Sequence, residues 1–194
     1  MTGATQDVVI RPSRPADRQR LLDLLAANSR DALSEAEQES YGFVQPGLGE
    51  DTLAAMESDT GIVVAEVAGQ VVGFVGTARH AAATTGPLAA LLAELDYLRF
   101  NGRPVTEQRY AFYGPIVVDR AFRGKGLARL LFGGARQVLA GHADVGLLFV
   151  EDSNRHSLAV HIAGLGMDCV GGFTHAGRRF SILAFAVPAP PDAD

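Results

Sequence analysis

The most informative segment of the chain is Ile116-Val117-Val118-Asp119-Arg120-Ala121-Phe122-Arg123-Gly124-Lys125-Gly126-Leu127-Ala128-Arg129. Its β-branched start predicts a strand, and the leucine-rich stretch after Gly126 predicts a helix. The glycine-rich loop between them would point backbone N–H groups at one place, at the positive end of that helix. Such a place binds phosphate, and Arg123, Lys125 and Arg129 add positive charge to it.

The loop matches neither of two common nucleotide-binding motifs. A dinucleotide-binding fingerprint needs a third glycine where Arg129 stands. A P-loop needs Ser or Thr after Gly-Lys, but here Gly126 follows Lys125. What remains is the pattern R-x-x-G-x-A, from Arg123 to Ala128. Its alternative interpretation is a tight strand-to-helix turn with charged surface residues.

A later segment carries a second pattern. Asn154 follows an apolar strand, Ser157 stands three residues on, His161 seven residues on, and Leu165-Gly166-Met167 closes the segment. Together with the R-x-x-G-x-A loop, this order resembles the GNAT superfamily of acyl-CoA-dependent N-acetyltransferases. The first strand and helix are similar too, so the resemblance covers residues 8 to about 187. In that family a tyrosine is common where this chain has His161.

Apolar periodicity and turn residues predict the element order β-α-α-ββ-α-β-α-β-α-ββ. The resemblance implies an α/β fold of GNAT type: a mixed, strongly twisted sheet of about seven strands flanked by helices, with a helical insertion before the central strand. We expect one acetyltransferase domain over residues 1–187, an inserted helical segment at about 81–104 and a disordered tail at 188–194. Within the insertion, apolar spacing predicts a helix from Leu88 to Phe100 that Asn101-Gly102 ends.

Composition limits the class of protein. Hydrophobic residues make up 47% and charged residues 20% of the 194 residues, so the chain can form a core. The net charge of −5 argues against nucleic-acid binding. One cysteine, Cys169, excludes a disulfide framework and a cysteine zinc site, and we expect no metal. Without a signal peptide or an apolar stretch of roughly 18 residues, we expect a cytoplasmic protein that makes no membrane contact.

The resemblance implies that acetyl-CoA lies where the strand around 116–118 splays from the strand around 147–150. Gly114-Pro115 is suited to a bulge that starts such a splay, because proline cannot donate to a strand ladder. Freed backbone groups there would bind the pantetheine arm and polarise the thioester carbonyl. The implied cofactor-binding residues are Ile116, Val117, Val118, Arg123, Gly124, Lys125, Gly126, Leu127, Ala128, Arg129, Asn154 and Ser157.

Two residues are candidates for catalysis. His161 takes the place of the family's tyrosine, either as the acid that protonates the leaving thiolate or as a core histidine that positions the cofactor. For the base we favour Glu151, which follows the splayed strand. The other candidates for the base are Glu107, Glu66 and His80. Tyr113 either lines the pocket or belongs to the core.

The resemblance implies transfer of an acetyl group from acetyl-CoA to a primary amine. We expect a small-molecule acceptor, such as an amino acid, a polyamine or an aminoglycoside-like amine. Three alternatives stay open: a protein or peptide N-acetyltransferase, a non-catalytic acyl-CoA-binding sensor, and a partner protein that uses only the fold. An arginine in the pocket would indicate a substrate carboxylate; the candidates are Arg99, Arg103, Arg109, Arg178 and Arg179. The phenylalanines of the last strand pair either build a homodimer or fill the core; they are Phe173, Phe180 and Phe185.

Overall fold

A computed structural model describes residues 7–80 and 85–190. Its strands are β1 (Val8–Pro12), β2 (Gly61–Val67), β3 (Gln70–Ala78), β4 (Arg99–Phe100), β5 (Arg103–Pro104), β6 (Tyr110–Val118), β7 (Val145–Glu151), β8 (Asp168–His175) and β9 (Arg178–Ala186). Its α-helices are α1 (Arg18–Asn28), α2 (Glu35–Tyr41), α3 (Glu50–Ser58), α4 (Gly86–Glu94), α5 (Leu127–Leu139) and α6 (Arg155–Ala159). A π-helical turn, Val160–Gly164, continues α6.

Seven of the strands form one mixed sheet in the order β1-β2-β3-β6-β7-β9-β8. Only β6 and β7 pair in parallel, and every other neighbouring pair is antiparallel. The mixed seven-stranded sheet with flanking helices is therefore confirmed. No helix in the described part of the chain is long and apolar enough to cross a membrane.

Helices cover both faces of the sheet. One face packs against α5, whose buried leucines at 127, 131 and 139 recur at the spacing of a helix face. The other face packs against α1 and α3 at one end and against α4 at the other. Successive side chains along a strand point to opposite faces of the sheet, so each strand contributes to both core layers. Val63 and Val64 on β2, for example, belong to different core clusters. All three phenylalanines of the last strand pair, Phe173, Phe180 and Phe185, are buried and fill the core, which is one of the two roles that the sequence left open for them.

The inserted segment differs from the predicted helix. Helix α4 ends at Glu94, and a short 3-10 turn follows it. Asn101 and Gly102 then form the turn of the two-stranded hairpin β4–β5, both with positive φ, of 50° and 77°. The predicted helix over 95–100 was wrong because an Asn-Gly pair strongly favours a hairpin turn, and Phe100 reaches the core from a strand. Residues 81–84 and 191–194, at the start of the predicted insertion and in the predicted disordered tail, lie outside the described residues.

Strands β6 and β7 part halfway along their length. Their parallel pairing covers only Tyr110–Phe112 against Val145–Leu147. On its other side, β6 pairs with β3, but the register shifts between the Tyr113 and Ile116 pairings. The shift places Gly114-Pro115 in a bulge, as their residue types predicted. Beyond it, the edge of β6 that faces β7 has no strand partner in the described chain, which opens a gap in the middle of the sheet.

Candidate active site

The glycine-rich loop after β6 begins helix α5 with an open N-terminus. Gly124 and Gly126 have φ of 73° and 79°, a left-handed conformation that suits glycine. A Cβ atom at either position would meet no atom within 4 Å. No side chain caps this helix, and its first backbone bonds run from the N–H groups of Arg129 and Leu130 to the Gly126 carbonyl. The N–H groups of Leu127 and Ala128 are therefore left for an external acceptor.

The basic side chains of this loop differ in what they contact. The Arg123 guanidinium donates to three protein oxygens: the carbonyls of Val118 at 3.0 Å and Tyr41 at 2.8 Å, and Asn28 Oδ1 at 2.5 Å. The Arg129 guanidinium donates to the Gly164 carbonyl at 2.9 Å. Exposed Lys125 lies over the Phe122 ring, with Nζ 4.8 Å from its centroid. Arg123 thus links the loop to α1 and α2 through hydrogen bonds. The exposed ammonium group of Lys125 is available to a ligand.

Two cavities flank the gap between β6 and β7. The first, here called the loop cavity, has a volume of about 380 Å³. It is lined by the glycine-rich loop and by the free edge of β6 at Ile116, Val117 and Val118. The second, here called the α3 cavity, has a volume of about 470 Å³ and is lined by α3, β6 and β7. Five residues line both cavities: Phe43, Val44, Ile116, Ser157 and His161.

The segment between α2 and α3 forms a wall of both cavities, and the sequence analysis missed it. Its position is fixed from three directions. Asn154 Nδ2 donates to the Phe43 carbonyl at 2.7 Å, and the N–H of Val44 donates to the Asn28 carbonyl at 2.9 Å. Arg123 donates to the Tyr41 carbonyl at 2.8 Å. Asn154 also caps α6, because its Oδ1 accepts from the N–H of Ser157. No local pattern in the wall itself signals this role.

His161 lies where the cavities meet and is only 3% exposed. Its Nδ1 lies 2.7 Å from the Ser157 carbonyl, which can only accept, so Nδ1 carries the proton. The neutral ring then has a bare lone pair on Nε2, and that atom has no hydrogen-bond partner in the described structure. Burial lowers the pKa of His161, only partly offset by the bond to Ser157, which favours this neutral form. In this form the ring can accept a proton at Nε2.

Tyr113 lines the α3 cavity and also belongs to the main core cluster. Its ring meets that of His161 edge-to-face, with centroids 5.9 Å apart. The phenol oxygen is buried and has no hydrogen-bond partner among the described residues. Burial raises the pKa of Tyr113, so the phenol keeps its proton. A proton donor and a proton acceptor, each without a partner, therefore stand side by side near the junction.

Of the four candidates for the base, Glu151 and His80 line the α3 cavity. Glu66 instead forms an ion pair at 2.6 Å with Arg11, which lies on β1. Glu107 lines neither cavity. Glu151 is 3% exposed, and its Oε1 accepts from Ser153 Oγ at 2.6 Å.

The second oxygen of Glu151 is more heavily engaged than the first. Its Oε2 accepts from Arg178 at 3.1 Å, from Gln45 at 3.2 Å and from Arg30 at 3.4 Å. Both carboxylate oxygens therefore have protein partners, and two of the groups bound to Oε2 are guanidiniums.

A family model for the acetyltransferase (GNAT) family matches residues 30–167 of this chain. The match spans most of the described fold and includes both motif segments and the gap between β6 and β7. The chain therefore belongs to the GNAT acetyltransferase family. The search of curated proteins gives no match.

Solved structures show the same fold at low sequence identity. An N-acetyltransferase from Staphylococcus aureus Mu50 is 19% identical, with a TM-score of 0.60 over 94% of this chain and 99% of its own. The ribosomal-protein-S18-alanine N-acetyltransferase from Escherichia coli is 15% identical, with a TM-score of 0.59 over 96% and 97%. A chain of the NatC complex bound to Gag peptide and CoA is 13% identical, with a TM-score of 0.62 over 94% and 99%.

Acetyl-CoA is the acetyl donor of this family, and the loop cavity suits it. The open cradle at Gly124 and Gly126 leaves room for a pyrophosphate against the N-terminus of α5. The unpaired edge of β6 offers backbone groups to the amides of a pantetheine arm. The residues present therefore match the chemistry of the donor.

Proposed function

We propose that the protein transfers the acetyl group of acetyl-CoA to the primary amine of a small molecule. The observation that carries this proposal is the meeting of two cavities at His161, one built around the glycine-rich loop and the other lined by side chains of α3, β6 and β7. Acetyl-CoA supplies an activated acyl thioester. In the overall exchange a C–N bond forms, the C–S bond breaks, and a proton of the amine is transferred to the thiolate.

The loop cavity would hold the donor in two ways. Backbone N–H groups of the loop from Gly124 to Ala128 would bind the pyrophosphate, with Lys125 adding charge. The edge of β6 from Ile116 to Val118 would bind the pantetheine arm and polarise the thioester carbonyl. We assign Arg123 and Asn154 to positioning, because their side chains hold the shared wall at Tyr41 and Phe43. Arg129 similarly ties α5 to the end of the π-helical turn.

We propose that His161 accepts a proton at Nε2 from the acceptor amine and passes it on to the departing sulfur. The Ser157 carbonyl supports this role because it fixes the tautomer with the proton on Nδ1. The proton-donor role, one of the two alternatives that the sequence left open for His161, then becomes the second half of a relay. Tyr113, with its phenol proton retained, is a candidate to assist the ring.

We assign Glu151 to positioning at the inner end of the α3 cavity. Its carboxylate holds Arg30, Arg178 and Gln45 together across segments that are far apart in the chain. His80, the other candidate for the base that lines this cavity, is exposed to solvent. Walls on several sides of the α3 cavity favour a small acceptor over a long peptide groove.

Two measurements on the purified protein test the proposal. Acetyl-CoA at 100 times its dissociation constant should stabilise the fold by about 2.7 kcal/mol, which raises the Tm by about 5–10 °C. A thiol-release assay with a panel of primary amines should then show steady turnover. Stabilisation without turnover on any amine or peptide would favour an acyl-CoA sensor. Turnover on peptides alone would favour a peptide acetyltransferase, and no shift at millimolar acetyl-CoA would overturn donor binding.

A further inference from the structure

The α3 cavity is lined mainly by hydrocarbon. Its apolar lining comes from several separate segments and includes Leu48, Met56, Leu88, Phe112, Leu147 and Phe149. A ligand group placed against these side chains gains by leaving water, roughly 25 cal/mol for each Å² of apolar surface that it buries. Sugars and other polyhydroxy acceptors would lose hydrogen bonds to water there and find few partners in return. The lining therefore favours an acceptor with an alkyl or aromatic body.

Among the described lining residues, the charged side chains are acidic. Asp51 is exposed in the first turn of α3, and Glu151 is buried at the inner end. His80 is the titratable residue at the rim, and neither lysine nor arginine lines the cavity within the described residues. Residues 81–84, which the structure does not describe, are three alanines and a threonine and carry no charge. Asp51 is thus placed to attract one ammonium group.

A substrate carboxylate finds no built partner in this lining. The guanidiniums of Arg30 and Arg178 both bind Glu151 Oε2, and neither residue lines the cavity. A carboxylate in the cavity would be repelled by Asp51, and the guanidiniums of Arg30 and Arg178 are already bound to Glu151. A second ammonium group, as in a polyamine, would need its own carboxylate, but both oxygens of Glu151 already have protein partners.

We propose that the acceptor is an apolar monoamine: a primary amine on an alkyl or aromatic body, without a carboxylate and without a second charged amine. This inference rests on the proposed acetyl transfer and narrows its substrate class. Asp51 attracts the protonated amine as it enters the cavity, and the hydrocarbon lining then holds the body of the molecule with its amine directed to His161. Free amino acids, polyamines and aminoglycosides are poor acceptors for the same reasons.

The experiment compares amines that differ in one group. Thiol release is followed with phenethylamine, phenylalanine, phenylalanine amide, spermidine and glucosamine at saturating acetyl-CoA. We expect kcat/KM for phenethylamine to exceed that for phenylalanine at least 100-fold, with the amide in between and the other two amines slow. Preferred use of phenylalanine, spermidine or glucosamine overturns the apolar-monoamine class while leaving acetyl transfer intact. A rise in Tm with acetyl-CoA but no turnover on any amine overturns both.

A matched pair of variants tests whether charge in the cavity sets this preference. Ala54 and Ala55 are both exposed on α3, but only Ala55, four residues after Asp51, lines the cavity. Ala55→Arg should reduce the preference for phenethylamine over phenylalanine at least tenfold, because it offers a guanidinium to the carboxylate. Ala54→Arg adds the same charge to the same helix and should leave the preference unchanged. Equal effects of the two variants would contradict a role for the cavity lining.

Discussion

The loop cavity and the α3 cavity share a wall but are built in different ways. The loop cavity depends on backbone, namely the free edge of β6 and two glycines with positive φ in one continuous stretch. The α3 cavity depends on side chains from segments that are remote in the chain, joined at its inner end by Glu151. A backbone-built site tolerates few residue types at its glycines. A side-chain-built cavity can change its ligand while the donor site stays intact.

The largest expected effect is at the loop. Gly126→Val places a β-branched side chain at a φ of 79° and into space that a pyrophosphate would fill. We expect the variant to lose most of the roughly 2.7 kcal/mol of stabilisation that acetyl-CoA gives at 100 times its wild-type dissociation constant. Thermal unfolding with and without acetyl-CoA measures this loss as a difference within each protein, so the strain of the substitution itself cancels.

Gly133→Val is the matched control for Gly126→Val. Gly133 lies further along α5, is exposed, has no positive φ, and a Cβ there would meet no atom within 4 Å. The same substitution should therefore leave the acetyl-CoA shift as in the wild type. If Gly126→Val kept the full shift, phosphate binding at this helix N-terminus would have to be abandoned.

The next effect concerns the inner end of the α3 cavity. Glu151→Gln removes the charge that faces Arg30 and Arg178, and we expect a loss of about 2 kcal/mol in the free energy of unfolding. Because we assign Glu151 to positioning, kcat should fall less than about tenfold, whereas loss of a general base costs about 10²–10⁴-fold. Urea unfolding and kcat at a temperature where the variant is folded separate the two roles.

Glu50→Gln makes the same change at an exposed ion pair. Glu50 is 70% exposed and lies 3.5 Å from Arg18, so its loss should cost less than about 1 kcal/mol. A drop in kcat of more than a hundredfold for Glu151→Gln with unchanged stability would restore Glu151 as the base.

What could be predicted from the sequence follows the same division between local and remote contacts. The strand, loop and helix around Gly124 and Gly126 and the bulge at Gly114-Pro115 are encoded within a few residues, and both are present. Arg30 and Glu151 are 121 positions apart, and only the folded sheet brings them together. The shared wall at Phe43 likewise depends on a bond from distant Asn154. Sequence patterns therefore indicate the loop cavity and say little about the α3 cavity.

His161 belongs to both cavities, so its ionisation tests their junction. Burial lowers its pKa below the value of 6.5 for the unfolded chain. Below pH 6.5 His161 therefore binds a proton in the unfolded chain but stays neutral in the folded protein. The free energy of unfolding then falls as the pH falls, by at most about 1.4 kcal/mol per pH unit.

His161→Asn removes this titration but can still donate to the Ser157 carbonyl. The pKa of His156 is also lowered by burial, but its contribution cancels when the variant is subtracted from the wild type. Urea unfolding from pH 7.5 to pH 5 should show the wild type losing stability relative to His161→Asn only below about pH 6.5. A constant difference across this range would mean that the folded protein accepts the proton freely, and His161 would then not be held neutral at the junction.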